Sequence, residues 1–178
     1  MKNTFLLLAS TLVLLSSCKK EIDTLPEATQ SGANTFGAKI NGENWGPLGG
    51  NFLTLPTLEA RFGADSSIFI NARNFSRSPT ETEMEIHLWR VTGVGTYSLN
   101  QPTAVYPSQT ASYAYYVKRK LSVEDEWMTT TDATGQVQLT KVDWTSRIVS
   151  GTFSFTANAK YGSAALVVTE GRFDVKAQ

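Results

Sequence analysis

The stretch 149–157, VSGTFSFTA, has the clearest residue pattern in this chain of 178 residues. Its odd positions are apolar or small, whereas the even positions Ser150, Thr152, Ser154 and Thr156 carry hydroxyl groups. Successive side chains of a β-strand point to opposite faces, so this alternation predicts a strand with one buried and one solvated face. A shift of one residue would turn every apolar side chain outward, and the pattern therefore also specifies the register of the strand.

The same period of two recurs along the chain after residue 35, for example over 68–72 and 84–88. Turn signals separate these runs, and Asn41-Gly42 is a dipeptide that favours two-residue hairpin turns because both residues tolerate positive φ. No segment after residue 18 carries a helical stripe of apolar residues. We therefore predict a single antiparallel β-sandwich of about 8–10 strands over residues 36–178, with a closed or partly open lipocalin-like β-barrel as the alternative.

The chain begins with the layout of a secretory signal peptide. Lys2 precedes an apolar run over residues 5–15, which is too short to remain in a bilayer as a spanning helix. The segment 15–18, LSSC, resembles the lipobox of bacterial lipoproteins. The resemblance implies that residues 1–17 are removed and that Cys18, the only cysteine, is lipidated. Two or more acyl chains would anchor the protein stably to a membrane, and no thiol would remain for a disulfide or a nucleophile.

Residues 18–35 are predicted to form the lipidated cysteine and a flexible tether. The segment 19–35, KKEIDTLPEATQSGANT, is polar and has no periodic apolar pattern. Fully extended, it would reach about 55–60 Å and hold the domain clear of the lipid head groups. Asp23-Thr24-Leu25 within it resembles the acceptor pattern for O-glycosylation in Bacteroidota.

Both ends of the segment after the signal peptide resemble a family of small Bacteroidota lipoproteins with a domain of unknown function. The stretches that carry the resemblance are 25–37, LPEATQSGANTFG, followed by Trp45, together with 148–155, IVSGTFSF, and 170–175, EGRFDV. The family implies an all-β lipoprotein of the cell envelope and implies no reaction. We expect attachment to the outer membrane.

Charge and motifs exclude several classes of function. The formal net charge is 0, which argues against nucleic acid as a partner because phosphates require a basic face. The sequence contains no HExxH, GxSxG, P-loop or GxGxxG motif. The only histidine, His87, falls on the predicted strand face that carries Glu83 and Glu85, and we interpret this face as solvated rather than as a metal or acid–base site.

Two further chemistries stay open from the sequence. Paired carboxylates could support glycoside hydrolysis if two of them lay 5–10 Å apart. The candidates are Glu85, Glu124, Asp125, Glu126, Asp143 and Asp174, of which Asp174 is expected to point away from the core. No cofactor is predicted, although Asp132 and neighbouring carbonyls could bind Ca²⁺.

Aromatic residues are the remaining signal for binding. Large rings stack on sugars and hold peptides, and a tyrosine adds a hydrogen-bonding tip. The candidate ligand-binding residues are Trp89, Tyr113, Tyr115, Tyr116 and Trp127. We therefore predict a non-enzymatic module for a glycan, a peptide or a partner protein, with an envelope hydrolase and a structural subunit of an outer-membrane complex as alternatives.

Overall fold

The computed structural model describes residues 21–50, 55–77, 79–100 and 110–178, and it contains eleven β-strands. These strands are β1 (Thr35–Ile40), β2 (Glu43–Trp45), β3 (Leu58–Phe62), β4 (Ile68–Asn74), β5 (Glu81–Leu88), β6 (Gly95–Ser98), β7 (Tyr113–Arg119), β8 (Val123–Met128), β9 (Gly135–Asp143), β10 (Ile148–Ala159) and β11 (Ala165–Lys176). The predicted signal peptide and Cys18 lie outside the described residues. In the described ranges, no helix is long and apolar enough to cross a membrane.

All strand pairings are antiparallel, and they join the strands in the order β2-β1-β11-β10-β8-β7-β5-β4-β3. β9 pairs with residues 148–155 of β10, on the same edge that β8 joins at residues 158–159, and β6 pairs with β9. The joint between β8 and β10 is short, with Asn158 opposite Met128 and Ala159 opposite Trp127. The sheet folds over at this joint and does not close into a barrel. The predicted antiparallel sandwich is thus confirmed, with eleven strands instead of eight to ten because short strands such as β2 and β6 also pair.

The core lies between the two layers of the folded sheet. Val149, Phe153, Phe155 and Ala157 of β10 are buried there, as the alternating pattern predicts, while Thr152 on the opposite face is exposed. The facing layer contributes the alternate residues of β4 and β5, which are Ile68, Ile70, Ala72, Met84, Ile86 and Leu88. These apolar faces supply the main driving force for folding.

Phe153 fixes an irregularity in β11. The pairing of β10 with β11 shifts register between Phe153 and Phe155, opposite residues 169 and 170 and next to Gly171. A Cβ on Gly171 would lie 2.5 Å from the Phe153 ring, so only glycine lets this ring lie flat against the strand.

Residues 21–34 lie along the sandwich, and we name this segment the strap. Pro26, Ile22 and Leu25 all meet at Gly37, where a Cβ would be 2.7 Å from the Pro26 ring. Lys141 Nζ donates to the Gln30 carbonyl at 2.9 Å. The structure therefore differs from the predicted flexible tether over residues 21–34, because scattered apolar side chains and backbone hydrogen bonds hold a segment that has no periodic pattern.

Asp174 of β11 fastens the strap, and it is buried rather than exposed as the sequence suggested. Its carboxylate accepts hydrogen bonds from the Thr29 hydroxyl at 2.6 Å and from the Ser150 hydroxyl at 2.7 Å. The backbone amides of Ser31, Gly32 and Ala33 donate to it at 2.8–3.1 Å. Burial raises the pKa of Asp174, but these donors outweigh it and hold the pKa well below its usual range.

Candidate functional site

A groove of about 450 Å³ opens at the end of the sandwich where the β1–β2 turn faces the ends of β4, β5 and β7. Its amide and hydroxyl side chains come from Asn41, Asn44, Asn74, Thr80 and Thr82. Its charged side chains come from Glu21, Glu43, Arg77 and Lys118, and Ile40, Trp45 and Tyr116 complete the lining. The volume falls in the usual range for small-ligand sites, but this lining is more polar than is common for them.

Two packed aromatic rings form the base of this groove. Trp45 and Tyr116 meet edge to face with their ring centres 5.9 Å apart, and Trp127 lies 5.7 Å behind Tyr116. Trp45 Nε1 donates to the Thr82 hydroxyl at 2.9 Å, which fixes the indole. Only 3% of Trp45 and 8% of Tyr116 is exposed, so neither offers a broad stacking face. The rings therefore shape the groove, and its polar side chains remain to contact a ligand.

Burial also sets the protonation state of the Tyr116 phenol. The pKa of Tyr116 is raised to about 12, chiefly because burial disfavours the phenolate. Tyr116 is therefore a neutral phenol at any physiological pH and can offer a ligand an O–H donor.

Glu21 of the strap forms one wall of the groove. Its carboxylate lies 3.0 Å from Arg77 Nη2, and Asn74 Nδ2 donates to it at 3.2 Å. The pKa of Glu21 is raised because burial outweighs the effect of Arg77, and Glu43 raises it further. The groove thus holds a cation and a carboxylate in contact at one wall, together with a second carboxylate and Lys118 elsewhere. Such an arrangement can hydrogen-bond a polar ligand of either charge or of none.

The structure divides the predicted binding residues among three places. Tyr116 lines the groove, and Trp127 packs against Tyr116 without lining it. Tyr113 and Tyr115 lie on the opposite face of β7, where both are buried. Trp89 stacks with Arg90, whose Cζ lies 4.4 Å from the indole centre. The candidate binding residues predicted from the sequence did not include Trp45, although the Asn41-Gly42 turn that precedes β2 places it at the groove.

The outer face of β4, β5 and β7 is a buried polar cluster. Tyr113 donates its hydroxyl to Glu85 at 2.5 Å, and Tyr115 donates to Glu126 at 2.7 Å. Burial, reinforced by these carboxylates, raises the pKa of both phenols. Glu83 accepts hydrogen bonds from Asn71 and, at 2.6 Å, from Arg119. Each pair compensates the cost of removing polar groups from water.

His87 lies in the same cluster and is buried rather than solvated as predicted. Its Nδ1 is 2.7 Å from the Ala111 carbonyl. The solvated interpretation fails for Glu83 and Glu85 as well, because tyrosine, asparagine and arginine partners replace water around them. Within the described parts of the chain, no three His, Cys, Asp or Glu side chains form a group that could hold a metal ion. Asp132, the candidate for Ca²⁺, lies in a turn whose amide contacts the Thr130 hydroxyl.

Comparisons with known proteins give one match. Residues 46–175 match a family model described as a domain of unknown function, DUF6252. Neither the curated proteins nor the solved structures contain a match. The family match starts at Gly46, so the strap and the β1–β2 turn precede it, whereas Asn74, Thr82 and Lys118 of the groove lie within it.

Proposed function

The chain belongs to the DUF6252 family, whose function is unknown, and from its own residues we propose a non-enzymatic binding module that is lipid-anchored at the cell envelope. In this proposal the groove at the end of the sandwich takes a segment of a glycan or a peptide. The groove itself is the observation that carries the proposal: its volume is about 450 Å³, and ten of its twelve lining residues have hydrogen-bonding amide, hydroxyl or charged side chains.

The lining suits a ligand with many hydrogen-bonding groups. Amide side chains such as Asn41 and Asn44 both donate and accept, as do threonine hydroxyls, so they match the hydroxyl groups of a sugar or the backbone of a peptide. Arg77 pairs with Glu21 and Lys118 pairs with Glu124, so a neutral ligand meets cations of the groove that already have carboxylate partners. Specificity would therefore arise from hydrogen-bond geometry more than from net charge.

Lipidation of Cys18 is the second part of the proposal, and the lipobox-like segment 15–18 supports it. Labelled palmitate should enter the wild-type protein and not a Cys18→Ala variant, which should also leave the membrane fraction. Membrane attachment and label incorporation that persist in Cys18→Ala would contradict the anchor and leave the groove unaffected.

A ligand screen tests the binding proposal. A form that begins at Lys19 keeps the whole strap and is suited to thermal-shift measurements against envelope polysaccharides, peptide mixtures and Ca²⁺. A ligand at one hundred times its dissociation constant stabilises the folded state by about 2.7 kcal/mol, which is readily measured. Stabilisation by a glycan or a peptide supports the proposal, and no shift with any of the three classes would overturn it.

One feature of the groove favours a second candidate, an envelope hydrolase. Glu21, whose pKa is raised by burial, shares the groove with Glu43, and a carboxyl with a raised pKa beside an exposed carboxylate can act as acid and base. This candidate predicts turnover of a bound glycan that Glu43→Gln abolishes. Binding without release of reducing ends would exclude it for that glycan.

A further inference from the structure

The strap changes where the proposed lipid anchor would place the domain. Glu21 is held by Arg77 at 3.0 Å and by Asn74 at 3.2 Å, so residue 21 is already fixed on the domain. Only Lys19 and Lys20 lie between Cys18 and Glu21 in the sequence. Three extended residues span about 11 Å at most, compared with the 55–60 Å of the predicted tether. Lipid on Cys18 would therefore keep the Glu21 end of the sandwich close to the bilayer.

Four chain reversals lie at this same end. The groove brings together the β1–β2 turn, the segment between β4 and β5, and the end of β7. The backbone N–H of Asn41 in the β1–β2 turn donates to the Val167 carbonyl at 2.8 Å, which places the start of β11 at this end of the sandwich. The backbone N–H of Lys160, which follows β10, donates to the Glu126 carbonyl at 2.8 Å, and this bond aligns the β10–β11 turn with β8. The turns β7–β8 and β10–β11 therefore project together beyond the groove.

Both projecting turns carry an exposed apolar side chain. Leu121 in the β7–β8 turn is 99% exposed, and Tyr161 in the β10–β11 turn is 68% exposed. Val123 beside Leu121 and Val167 near the start of β11 are also exposed. A single exposed leucine is ordinary, but apolar tips on adjacent turns at one end form a surface that water solvates poorly.

The charges around the tips nearly balance. Lys118 lies 3.4 Å from Glu124, and Lys160 lies 2.6 Å from Glu126. Lys120 and Asp125 are both exposed, so neither sign dominates. Contact with a surface would thus depend on the apolar tips, and it should depend little on salt.

We infer that the groove end of the sandwich rests on the bilayer that holds Cys18, with Leu121 and Tyr161 in contact with the lipid head groups. This inference depends on the lipidation in the proposed function. The groove then opens at the level of the head groups, and its ligand is encountered at the membrane surface. The opposite end, which carries the β3–β4 and β5–β6 connections joined through Val91 and Ser66, faces away.

Fluorescence quenching in vesicles tests this orientation. Acylation occupies Cys18, so Leu121→Cys provides one free thiol for an environment-sensitive dye. Val94→Cys is the matched control because Val94 is 66% exposed in the connection between β5 and β6, at the far end. The full-length lipidated protein is reconstituted in vesicles of phosphatidylethanolamine and phosphatidylglycerol that contain a lipid-attached quencher. We expect loss of most emission at position 121 with little loss at position 94, in low and in high salt alike.

Equal quenching at the two positions would overturn the orientation, since a freely tumbling domain gives that result. The inferred orientation would also be overturned if the two positions were equally quenched in vesicles while a thiol at position 121 was protected from labelling in cells. That result would assign this surface to a partner protein. A flexible insertion of about 12 Gly and Ser residues between Lys20 and Glu21 lengthens the connection by roughly 20 Å without touching the fold. It should reduce quenching at position 121. Palmitate incorporation, measured separately, reports whether the anchor exists, so failure of the anchor and failure of the orientation are distinguishable.

Discussion

The carboxylate of Asp174 accepts a hydrogen bond from the Thr29 hydroxyl at 2.6 Å, although the two residues are 145 positions apart. This bond and the neighbouring amide donors make the strap part of the folded domain. The strap also supplies Glu21 to the groove. The segment that should link the domain to lipid therefore shapes the proposed ligand site as well.

Loss of the Asp174 charge should loosen the strap. Hydrogen bonds to a charged group each contribute about 1.5–3 kcal/mol, so we expect Asp174→Asn to lower the free energy of unfolding by roughly 3 kcal/mol or more. Urea unfolding measures this loss. Asp125→Asn is the control, since Asp125 is exposed on β8 and its change should stay within about 0.5 kcal/mol. Equal effects in the two variants would contradict the role of Asp174.

The low pKa of Asp174 has a defined effect on acid stability. A carboxyl whose folded pKa lies below its unfolded value, near 3.9, contributes stability above that pH and loses it as the pH falls toward the folded value. We expect wild-type stability to fall more steeply than that of Asp174→Asn below about pH 4. Parallel acid titrations of unfolding by fluorescence would detect the difference, and identical slopes would argue against it.

The effect of Glu21 on the pH dependence of stability should be opposite in sign to that of Asp174. Burial raises its pKa, so its contribution to stability is complete below the unfolded pKa, near 4.3, and is lost as the pH rises through the raised value. Glu21→Gln cannot ionise, and its stability relative to wild type should therefore increase between about pH 4 and pH 7. The exposed Glu27 provides the control variant Glu27→Gln. Urea unfolding at both pH values checks the prediction, which a constant difference between Glu21→Gln and wild type would refute.

Removal of the strap should destabilise the domain, whereas removal of a flexible tether would not. A form that begins at Thr35 keeps the Ser150 hydroxyl but loses the strap donors of Asp174 and the packing on Gly37. A loss of about 3 kcal/mol corresponds to a decrease in Tm of roughly 6–12 °C for a domain of this size. Calorimetry would compare forms beginning at Lys19, Glu21 and Thr35. We expect the first two to melt together, and equal melting of all three would restore the tether interpretation.

The alternating sequence of β10 predicts the strand, and substitutions on its two faces should change the free energy of unfolding by different amounts. Phe153 contacts Phe36, Phe155 and Phe173, so Phe153→Ala should cost about 3–5 kcal/mol in unfolding free energy. Thr152→Ala on the exposed face of the same strand should change it by less than about 0.5 kcal/mol. Denaturant unfolding of both variants tests whether the two faces differ as the alternation requires.

The fold was accessible because alternation is a local signal. In β10 a burial period of two holds over residues 151–158, and only the buried Ser150 departs from the predicted alternation, so the strand, its inner face and its register follow from the sequence alone. The turn at Asn41-Gly42 is equally local, and both residues adopt the positive φ that this dipeptide favours. Such features need no knowledge of the rest of the chain.

The groove and the strap were not accessible because they depend on long-range contacts. The groove is lined by residues from separate segments, which only the folded sheet brings to one end: Glu21, Trp45, Arg77 and Lys118. Asp174 alternates with core residues, a pattern that predicts an exposed side chain, yet five donor groups of the strap and the Ser150 hydroxyl surround it. The tyrosines illustrate the same limit, since the sequence gives the face of Tyr113 but not its carboxylate partner.

The most direct test of the central claim is calorimetric titration of the best ligand from the screen into wild-type protein, Lys118→Ala and Lys176→Ala. Lys118 lines the groove, whereas Lys176 is exposed near the end of β11, at the opposite end of the sandwich. The two variants lose the same charge, so they separate local contact from net charge. We predict that Lys118→Ala weakens binding about tenfold, equivalent to about 1.4 kcal/mol, while Lys176→Ala leaves it unchanged. Equal affinities in all three proteins would contradict the groove as the binding site.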